Sequence, residues 1–424
     1  MITVSKNKRS FERHGEPFFY LADTIWSAFT NVSLEEWEYY LTQRKHQGFN
    51  VLQINTLPQW DRSESDLNLY PFPTEDNQVF RFGTWNQEYF DRAKVMCRMA
   101  AEKGFELALV LLWSNYVPDT WASRLKDHNV MEYDFLDQLV DKQYETFDEF
   151  KPVYIISGDT DFDTDRSIGY YKKVMDRICQ LSPDTLKTLH IKGRLEVIPE
   201  LFLEQMDFYM YQSGHNAQNP AMPYLLAQRY YNEYPVKPVI NSEPCYEQMG
   251  FSRRMYGRFS RRDIRRAAWL SVLSGACAGI TYGAHGVWSW HKEGKAFGSL
   301  LGEGFDAPMP WEDAVKLPGA WDYGYLKYLF ETYQWDHLVP VTGICENGTE
   351  DIRIARSGDH SFVLIYVPSN TTVRLKGDYS QYRFVEIDLA ERKVFYPDMV
   401  FQEGKSFVKM HNLEEDALVI GKKK

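Results

Sequence analysis

The stretch Val239-Ile240-Asn241-Ser242-Glu243-Pro244 has the pattern of a short apolar strand that ends in a carboxylate. Residues 234–238 precede it and carry two prolines. Proline lacks a backbone donor and disfavours helix in the residue before it, so no helix can run into this stretch. Pro244 ends the strand in the same way. The pattern predicts that Glu243 lies at the C-terminal tip of a strand, on a rigid support.

A second segment, Val153-Tyr154-Ile155-Ile156-Ser157-Gly158-Asp159, has the same form. Two carboxylates on two strand tips of one barrel are what a glycosidase needs, one as acid/base and the other as nucleophile or base. The alternative is that Asp159 and Glu243 are ordinary loop acids that cap helices or bind backbone amides. The repeated strand–helix context around both residues favours catalysis.

Along the whole chain, eight apolar runs alternate with amphipathic helical segments. The predicted strands are 18–24, 49–55, 106–113, 153–159, 185–191, 207–211, 239–243 and 279–284. The predicted helices include one that begins at a capping box, Ser33 with Glu36, and the segments 86–103, 131–150, 168–181, 221–233, 260–274 and 321–333. Eight such units predict the α/β class and a (β/α)8 TIM barrel. A doubly wound sheet is the alternative, but no strand precedes a glycine-rich phosphate turn.

From about Val339 the pattern changes to short β-type runs separated by polar turns, which predicts a small C-terminal antiparallel β-sandwich. We therefore predict two domains, a catalytic barrel over residues 1–338 and an ancillary sandwich over residues 339–424. A long polar loop, Asp61–Phe82, follows the second predicted strand, and loops of that length are usually functional. It would lie on the active-site face and could block one end of a cleft.

The composition of the chain disfavours some classes of ligand and favours others. The net charge of −11 disfavours nucleic-acid binding, and Arg261, Arg262, Arg265 and Arg266 are expected to form a helix face that pairs with acids. The aromatic fraction of 16% is high and mildly favours sugar binding, although aromatic residues also fill cores. No apolar stretch is long enough to cross a membrane. The sequence gives no indication of oligomeric state.

The five cysteines are odd in number, far apart and without a CxxC pair, so neither a disulfide framework nor a zinc site is indicated. We predict no cofactor and no metal. Reduced thiols and an N-terminus without a signal-type apolar core predict a cytoplasmic location.

Two N-terminal motifs carry a resemblance to a known family: Gly15-Glu16-Pro17-Phe18-Phe19-Tyr20-Leu21-Ala22-Asp23-Thr24-Ile25-Trp26 and Tyr40-Leu41-Thr42-Gln43-Arg44-Lys45-His46-Gln47-Gly48-Phe49-Asn50-Val51. The chain resembles the apiosidase-like glycoside hydrolases, which comprise glycoside hydrolase family 140 and its wider relatives. The resemblance covers nearly the whole chain and implies a (β/α)8 barrel. It also implies a C-terminal sandwich of the kind sometimes labelled collagen-binding.

The family places an aspartate acid/base after strand four and a glutamate nucleophile after strand seven. The resemblance implies that these are Asp159 and Glu243. Three further acids, Asp161, Asp163 and Asp165, leave the aspartate open to misassignment. This acidic run also looks like a calcium loop, but its sixth and twelfth places lack the required glycine and glutamate. Glu247 is the second choice for the nucleophile.

Polar and aromatic residues at or beyond the other strand ends are candidates to line a sugar pocket. They are Asp23, Trp26, Gln53, Asn55, Trp113, Tyr211, Gln212, His215, Tyr246, His285, Trp288 and Trp290. Gln53 and Asn55 share strand parity, so both can point inward. For Trp26 and Trp113 packing at the rim is the alternative, and for His285 it is a structural hydrogen bond.

The hypothesis is a retaining, exo-acting glycosidase that removes a terminal sugar from a plant-type oligosaccharide or glycoside. Retention would require the two carboxyl groups to be about 5–5.5 Å apart, and about 6.5–9.5 Å would indicate inversion. Two alternatives remain open. One is a non-catalytic carbohydrate-binding barrel, and the other is a matrix-binding protein that acts through the sandwich.

Overall fold

A computed structural model describes residues 1–252, 255–298, 307–411 and 414–424. Eight parallel strands form the central sheet, as the sequence predicts. They are β1 (Tyr20–Thr24), β2 (Val51–Asn55), β3 (Glu106–Trp113), β4 (Val153–Gly158), β5 (Lys187–Thr188), β6 (Tyr209–Tyr211), β7 (Val239–Asn241) and β8 (Gly279–Tyr282). The spatial order is β5-β4-β3-β2-β1-β8-β7-β6.

The two edge strands of this sheet meet, which closes the barrel. The Asp207 backbone N–H donates to the Lys187 carbonyl oxygen at 2.8 Å. The Thr188 hydroxyl donates to the Phe208 carbonyl oxygen at 2.8 Å. These bonds leave β5 and β6 without a free edge, as a (β/α)8 barrel requires.

Helices surround the sheet. The α-helices are Ala28–Asn31, Leu34–His46, Gln87–Glu102, Trp121–Leu125, Leu136–Phe147, Asp165–Leu181, Glu200–Leu203, Met222–Asn232, Arg261–Val272, Trp311–Ala314 and Gly319–Tyr333. Short 3-10 turns lie at Ser114–Tyr116, Tyr133–Phe135 and Asp148–Phe150. The predicted capping box is confirmed, since the Glu36 N–H donates to Ser33 Oγ at 3.2 Å and the Ser33 N–H donates to Glu36 Oε2 at 2.9 Å. No helix in the described residues is both long and apolar enough to cross a membrane.

An antiparallel three-stranded sheet, which the sequence analysis missed, precedes the barrel. Its strands are Ile2–Val4, Phe11–Arg13 and Glu16–Phe18. Phe11 is buried and packs edge-on against Phe208 at 5.0 Å, beside the start of β6. The sheet therefore covers the N-terminal end of the barrel and leaves the C-terminal end open for a site.

The C-terminal part contains two antiparallel sheets. The six-stranded sheet has the order Leu338–Val341, Arg353–Ser357, Phe362–Val367, Ala417–Lys423, Tyr382–Asp388 and Val394–Phe395. The three-stranded sheet has the order Thr372–Lys376, Lys405–Lys409 and Asp398–Gln402. The strands Leu338–Val341 and Asp398–Gln402 were not predicted.

Residues alternate between the two faces of the six-stranded sheet. Val363 and Ile365 pack towards the three-stranded sheet, whereas Leu364 and Tyr366 join the same apolar core as the barrel. Tyr366 stacks on Trp269 of the helix Arg261–Val272, with ring centres 6.3 Å apart. The barrel and the C-terminal sheet therefore share one core.

Candidate active site

The C-terminal ends of the barrel strands surround one cavity of about 490 Å³. Asp159 follows directly on β4, and Glu243 lies two residues beyond β7. Eight residues selected from the sequence line this cavity: Trp26, Trp113, Asp159, Gln212, His215, Glu243, Tyr246 and Trp288. The two strand-tip carboxyl groups thus face one shared space, at the end of the barrel where enzymes of this fold carry their sites.

Three nitrogen atoms surround the Glu243 carboxylate. Gln212 Nε2 donates to Glu243 Oε1 at 2.8 Å, and His215 Nε2 lies 2.9 Å from the same oxygen. His190 Nε2 lies 3.2 Å from Oε2. Glu243 itself is only 7% exposed. Hydrogen-bond donors on both oxygens hold the side chain in one orientation.

The geometry fixes the tautomers of both histidines. His215 Nδ1 accepts the Tyr246 backbone N–H at 3.3 Å, so its Nε2 carries the proton that faces Glu243. Burial lowers the pKa of His190 to about 4, although the charge of Glu243 opposes this shift. His190 is therefore neutral near pH 7, and it donates through Nε2. The sequence analysis missed His190, since it lies two residues beyond the two-residue strand β5.

Asp159 has a left-handed backbone with φ of +51°, which turns its side chain away from the strand direction. Its carbonyl oxygen accepts the Trp121 Nε1–H at 2.7 Å, which holds this turn. Gly158 lies directly before it, and a Cβ there would lie 2.0 Å from Trp113 Cε3. Glycine is therefore required for the Trp113 indole to cross the end of β4.

The other acids of the run 159–165 do not line the cavity. Asp161 is buried and accepts the Trp121 N–H at 3.0 Å. Asp163 is exposed and pairs with Arg124 at 2.7 Å. Asp165 begins the helix Asp165–Leu181. Of these four aspartates, Asp159 is the one that lines the cavity.

Glu247, the second choice for the nucleophile, is also absent from the cavity wall. It is 1% exposed and accepts the Tyr282 hydroxyl at 2.6 Å and the Gly319 N–H at 2.9 Å. These bonds attach the segment after β7 to the helix Gly319–Tyr333. Glu247 is a structural acid.

Six residues that the sequence suggested as sugar ligands do not line the cavity, and for three of them the side chain points outward. Asp23 is fully buried and binds the Tyr40 hydroxyl at 2.7 Å in the layer between β1 and the helix Leu34–His46. Tyr211 donates to the Pro223 carbonyl oxygen at 2.7 Å. Trp290 donates to Glu36 Oε2 at 3.0 Å and stacks on Trp311.

The remaining three are buried below or behind the wall. Gln53 Nε2 donates to Thr281 Oγ1 at 2.7 Å inside the barrel. Asn55 is 1% exposed and its Oδ1 faces the Leu57 N–H at 3.4 Å. His285 accepts the Trp288 Nε1–H at 3.1 Å, so its role is structural, the alternative given for it above. The contact of Gln53 with Thr281 across the barrel agrees with the inward direction expected for it, but neither Gln53 nor Asn55 lines the cavity.

Ten lining residues were not predicted: Trp60, Asp61, Trp121, Leu125, Lys192, Gly193, Arg194, Gly214, Met249 and Ser252. Trp60 and Trp121 pack edge to face with ring centres 5.8 Å apart. Trp60 belongs to the long loop after β2, whose course no strand or helix pattern indicates, and Trp121 begins the short helix Trp121–Leu125, which the sequence analysis did not predict. The aromatic content of the loops was the available signal.

The described residues contain no group of three or more His, Cys, Asp or Glu side chains arranged to hold a metal ion. The five cysteines are all unpaired. The cavity wall presents carboxyl, imidazole, amide and indole groups.

Comparison with known proteins gives the family. The model of the apiosidase-like catalytic domain matches residues 5–337. The chain belongs to the apiosidase-like family. This apiosidase-like protein is accordingly a glycosidase, and the resemblance seen in its N-terminal motifs is confirmed. No curated protein sequence matches it significantly.

Solved structures share the whole fold of this apiosidase-like chain. One, described as a glycoside hydrolase, has a TM-score of 0.82 and 23% identity, and the alignment covers 100% of this chain and 97% of the other. Another, a glycoside hydrolase family 5 protein from Bacteroides vulgatus ATCC 8482, has a TM-score of 0.81 and 22% identity, with 100% and 93% covered. At these identities the likeness establishes the fold alone.

Proposed function

We propose that this protein is a retaining, exo-acting glycosidase in which Asp159 is the acid/base and Glu243 the nucleophile. The observation that supports the proposal is that both carboxyl groups line one cavity at the C-terminal ends of β4 and β7. The three N–H groups around Glu243 hold its carboxyl group in one orientation, as an attacking nucleophile requires.

In the first step, Asp159 would protonate the leaving oxygen while Glu243 attacks the anomeric carbon, and a glycosyl ester forms on Glu243. In the second step, Asp159 would take a proton from water, and that water would release the sugar from Glu243. Tyr246 would assist at Glu243: burial and the charge of Glu243 raise the pKa of its phenol well above the usual value, so it stays protonated.

Two features of the cavity support a sugar substrate and exo action. Five tryptophans line it, and their faces offer apolar platforms for the C–H surfaces of a sugar ring: Trp26, Trp60, Trp113, Trp121 and Trp288. Trp60 and Asp61 come from the long loop after β2, so that loop forms part of the wall. We propose that the substrate is a plant-type oligosaccharide or glycoside with the cleaved sugar at its end. A cytoplasmic location, tested by cell fractionation, would limit the substrate to small imported molecules.

The test is hydrolysis of a panel of aryl glycosides and plant oligosaccharides by wild type, Asp159→Ala and Glu243→Ala. Asp163→Ala is the matched control, because this nearby aspartate is exposed and outside the cavity. We expect the two active-site variants to lose at least about 10³-fold in kcat, whereas the control keeps its rate. A near-full rate for either active-site variant would show that the roles are wrongly assigned.

Product analysis tests the stereochemistry and the mode of action. Proton NMR of the first product should show retained anomeric configuration, and an inverted product would exclude Glu243 as nucleophile. Release of single sugars from one end supports exo action, and internal cuts would exclude it. If nothing is cleaved but sugars quench tryptophan fluorescence, the carbohydrate-binding alternative is favoured.

A further inference from the structure

Asp61 is a third carboxyl group in the wall of the cavity, and the mechanism above does not use it. It follows Trp60 in the loop after β2 and lines the cavity together with Asp159 and Glu243. The residue is partly exposed, but its Oδ1 atom is buried and has no hydrogen-bond partner. Leaving a buried polar atom without a partner is unfavourable, so a ligand that supplies the partner gains affinity.

Three charged residues act on the Asp61 carboxyl group. Glu243 faces it across the cavity, and Arg62 and Lys126 are the cations nearby. Arg62 is occupied elsewhere, since its Nη1 donates to the Gln59 carbonyl oxygen at 3.0 Å and its guanidinium lies over the Tyr70 ring. Lys126 lies over the Trp60 ring, 5.9 Å from its centre. Neither cation directly neutralises the Asp61 carboxyl group.

This environment favours the neutral carboxylic acid. Burial raises the pKa of Asp61 to about 7, and the charge of Glu243 contributes in the same direction. Two carboxyl groups that share a water-poor site do not readily ionise together. With a pKa of about 7, a large fraction of Asp61 keeps its proton near neutral pH.

We propose that Asp61 binds a hydroxyl group of the glycosyl unit, donating one hydrogen bond to it and accepting another from it. This inference rests on the proposed glycosidase function. A neutral carboxyl group offers one donor and one acceptor, and a sugar hydroxyl offers the same pair, so the two groups match. Asp61 is a substrate-binding group that orients the sugar between Asp159 and Glu243, and the acid/base chemistry needs no third carboxyl group.

The inference predicts how binding depends on pH. When Asp61 ionises, it loses its donor and places a second negative charge beside Glu243. KM should therefore rise as the pH rises through about 7, while kcat follows the catalytic pair instead. Asp61→Asn keeps one donor and one acceptor but cannot ionise, so it is the conservative variant. Asp61→Ala removes both.

The first experiment needs no substrate. Tryptophan fluorescence is titrated from pH 5 to pH 9 in wild type, Asp61→Asn and the control Asp163→Asn. Trp60 and Trp121 line the same cavity as Asp61 and report its ionisation. We expect a transition near pH 7 in wild type and in the control, and its loss in Asp61→Asn. A wild-type curve without this transition, or a transition that Asp61→Asn keeps, would overturn the inference. This result does not depend on the proposed activity.

The second experiment uses the glycoside that the panel identifies. Asp61→Ala should raise KM about 10–100-fold and change kcat by less than about threefold. Asp61→Asn should keep both values within about threefold at pH 6 and should abolish the rise of KM above pH 7. A loss of about 10³-fold in kcat for Asp61→Asn with KM unchanged would overturn the inference and identify Asp61 as the proton donor. Loss of activity in Glu243→Ala with Asp61→Ala unaffected would overturn the inference and leave the proposed function standing.

Discussion

Glu243 contacts His190, whose imidazole ring must stay neutral to donate its Nε2 proton without adding a charge. His190 is fully buried, with Trp26 at 5.2 Å and Trp113 at 6.0 Å between ring centres. Its Nδ1 has no partner, which is the arrangement expected of a neutral ring that donates only through Nε2. Protonation of His190 at Nδ1 would therefore place a positive charge in the apolar wall of the site.

This arrangement predicts a pH dependence of stability. His190 has a folded-state pKa of about 4, below its ordinary value of 6.5, so the unfolded chain binds a proton first as the pH falls. The contribution is fully present above pH 6.5 and is lost between pH 6.5 and about 4, up to about 3 kcal/mol. Urea unfolding at pH 7 and pH 4.5 measures this loss, and His190→Gln should lack it because an amide keeps a donor but does not titrate.

The matched control for His190→Gln is His337→Gln, since the His337 side chain is 64% exposed. The control should show the same pH dependence as wild type. If His190→Gln also loses stability on acidification as wild type does, His190 does not carry the effect.

At the scale of single elements, the end of β4 determines how Asp159 is presented. Trp113, the last residue of β3, lies across Gly158, the last residue of β4. Gly158→Ala would place its Cβ 2.0 Å from Trp113 Cε3, so the indole or the strand must move. We expect a loss of about 1–3 kcal/mol in the free energy of unfolding, measured in urea, and a fall in kcat/KM because Asp159 is the next residue.

Gly169→Ala is the control, because Gly169 lies inside the helix Asp165–Leu181 with no atom within 4 Å of an added Cβ. Alanine there should stabilise the protein by roughly 0.5–1 kcal/mol, since glycine is the poorer helix former. Equal stability of Gly158→Ala and wild type would contradict the packing argument.

The elements show what the sequence could and could not predict. Buried parallel strands are nearly all apolar, so each barrel strand was recognisable as a run between turns. The sequence did not show in which direction a side chain at the end of a strand points. Asp23 is in a strand that is buried on both faces, and it points to Arg44 in the helix layer instead of the cavity.

Most of the cavity-lining residues that the sequence analysis missed lie in loops. Asp61 was recognised only as the start of a long loop, because no periodic pattern predicts where a loop of that length folds. Trp60 contacts Trp121, the first residue of the short helix Trp121–Leu125, at the cavity wall, and neither contact nor helix was predicted. His190 follows a strand of two residues, and its contact with Glu243 joins parts of the chain 53 positions apart.

At the scale of the whole molecule, one buried arginine connects the barrel to the C-terminal sheets. Arg265 is 2% exposed; its Nη1 donates to Asp322 Oδ2 at 3.0 Å and its Nε to Asp416 Oδ1 at 2.9 Å. Arg261 donates twice to Asp322 at 2.7 Å. The predicted pairing with acids is therefore observed for Arg261, Arg265 and Arg266, the last with Asp351 at 3.0 Å, whereas Arg262 donates to the Pro368 carbonyl oxygen instead. This arginine face lies where the two parts share one core.

Arg265→Met tests whether this connection holds the two parts together. It leaves Asp416 fully buried without a cation, with the Tyr366 hydroxyl at 2.9 Å as its remaining partner in the described chain. Removing one partner of a buried ion pair typically costs about 3–5 kcal/mol. We expect that loss in urea unfolding, and one calorimetric transition for both wild type and variant, because the shared core couples the parts.

Arg262→Met is the control. It changes an exposed arginine that donates to the Pro368 carbonyl oxygen, and it should cost less than about 1 kcal/mol. Adding Asp416→Asn to Arg265→Met should recover part of the loss, because it removes the unpaired charge. Equal stability of the Arg265 and Arg262 variants, or two separate transitions in wild type, would contradict the coupling.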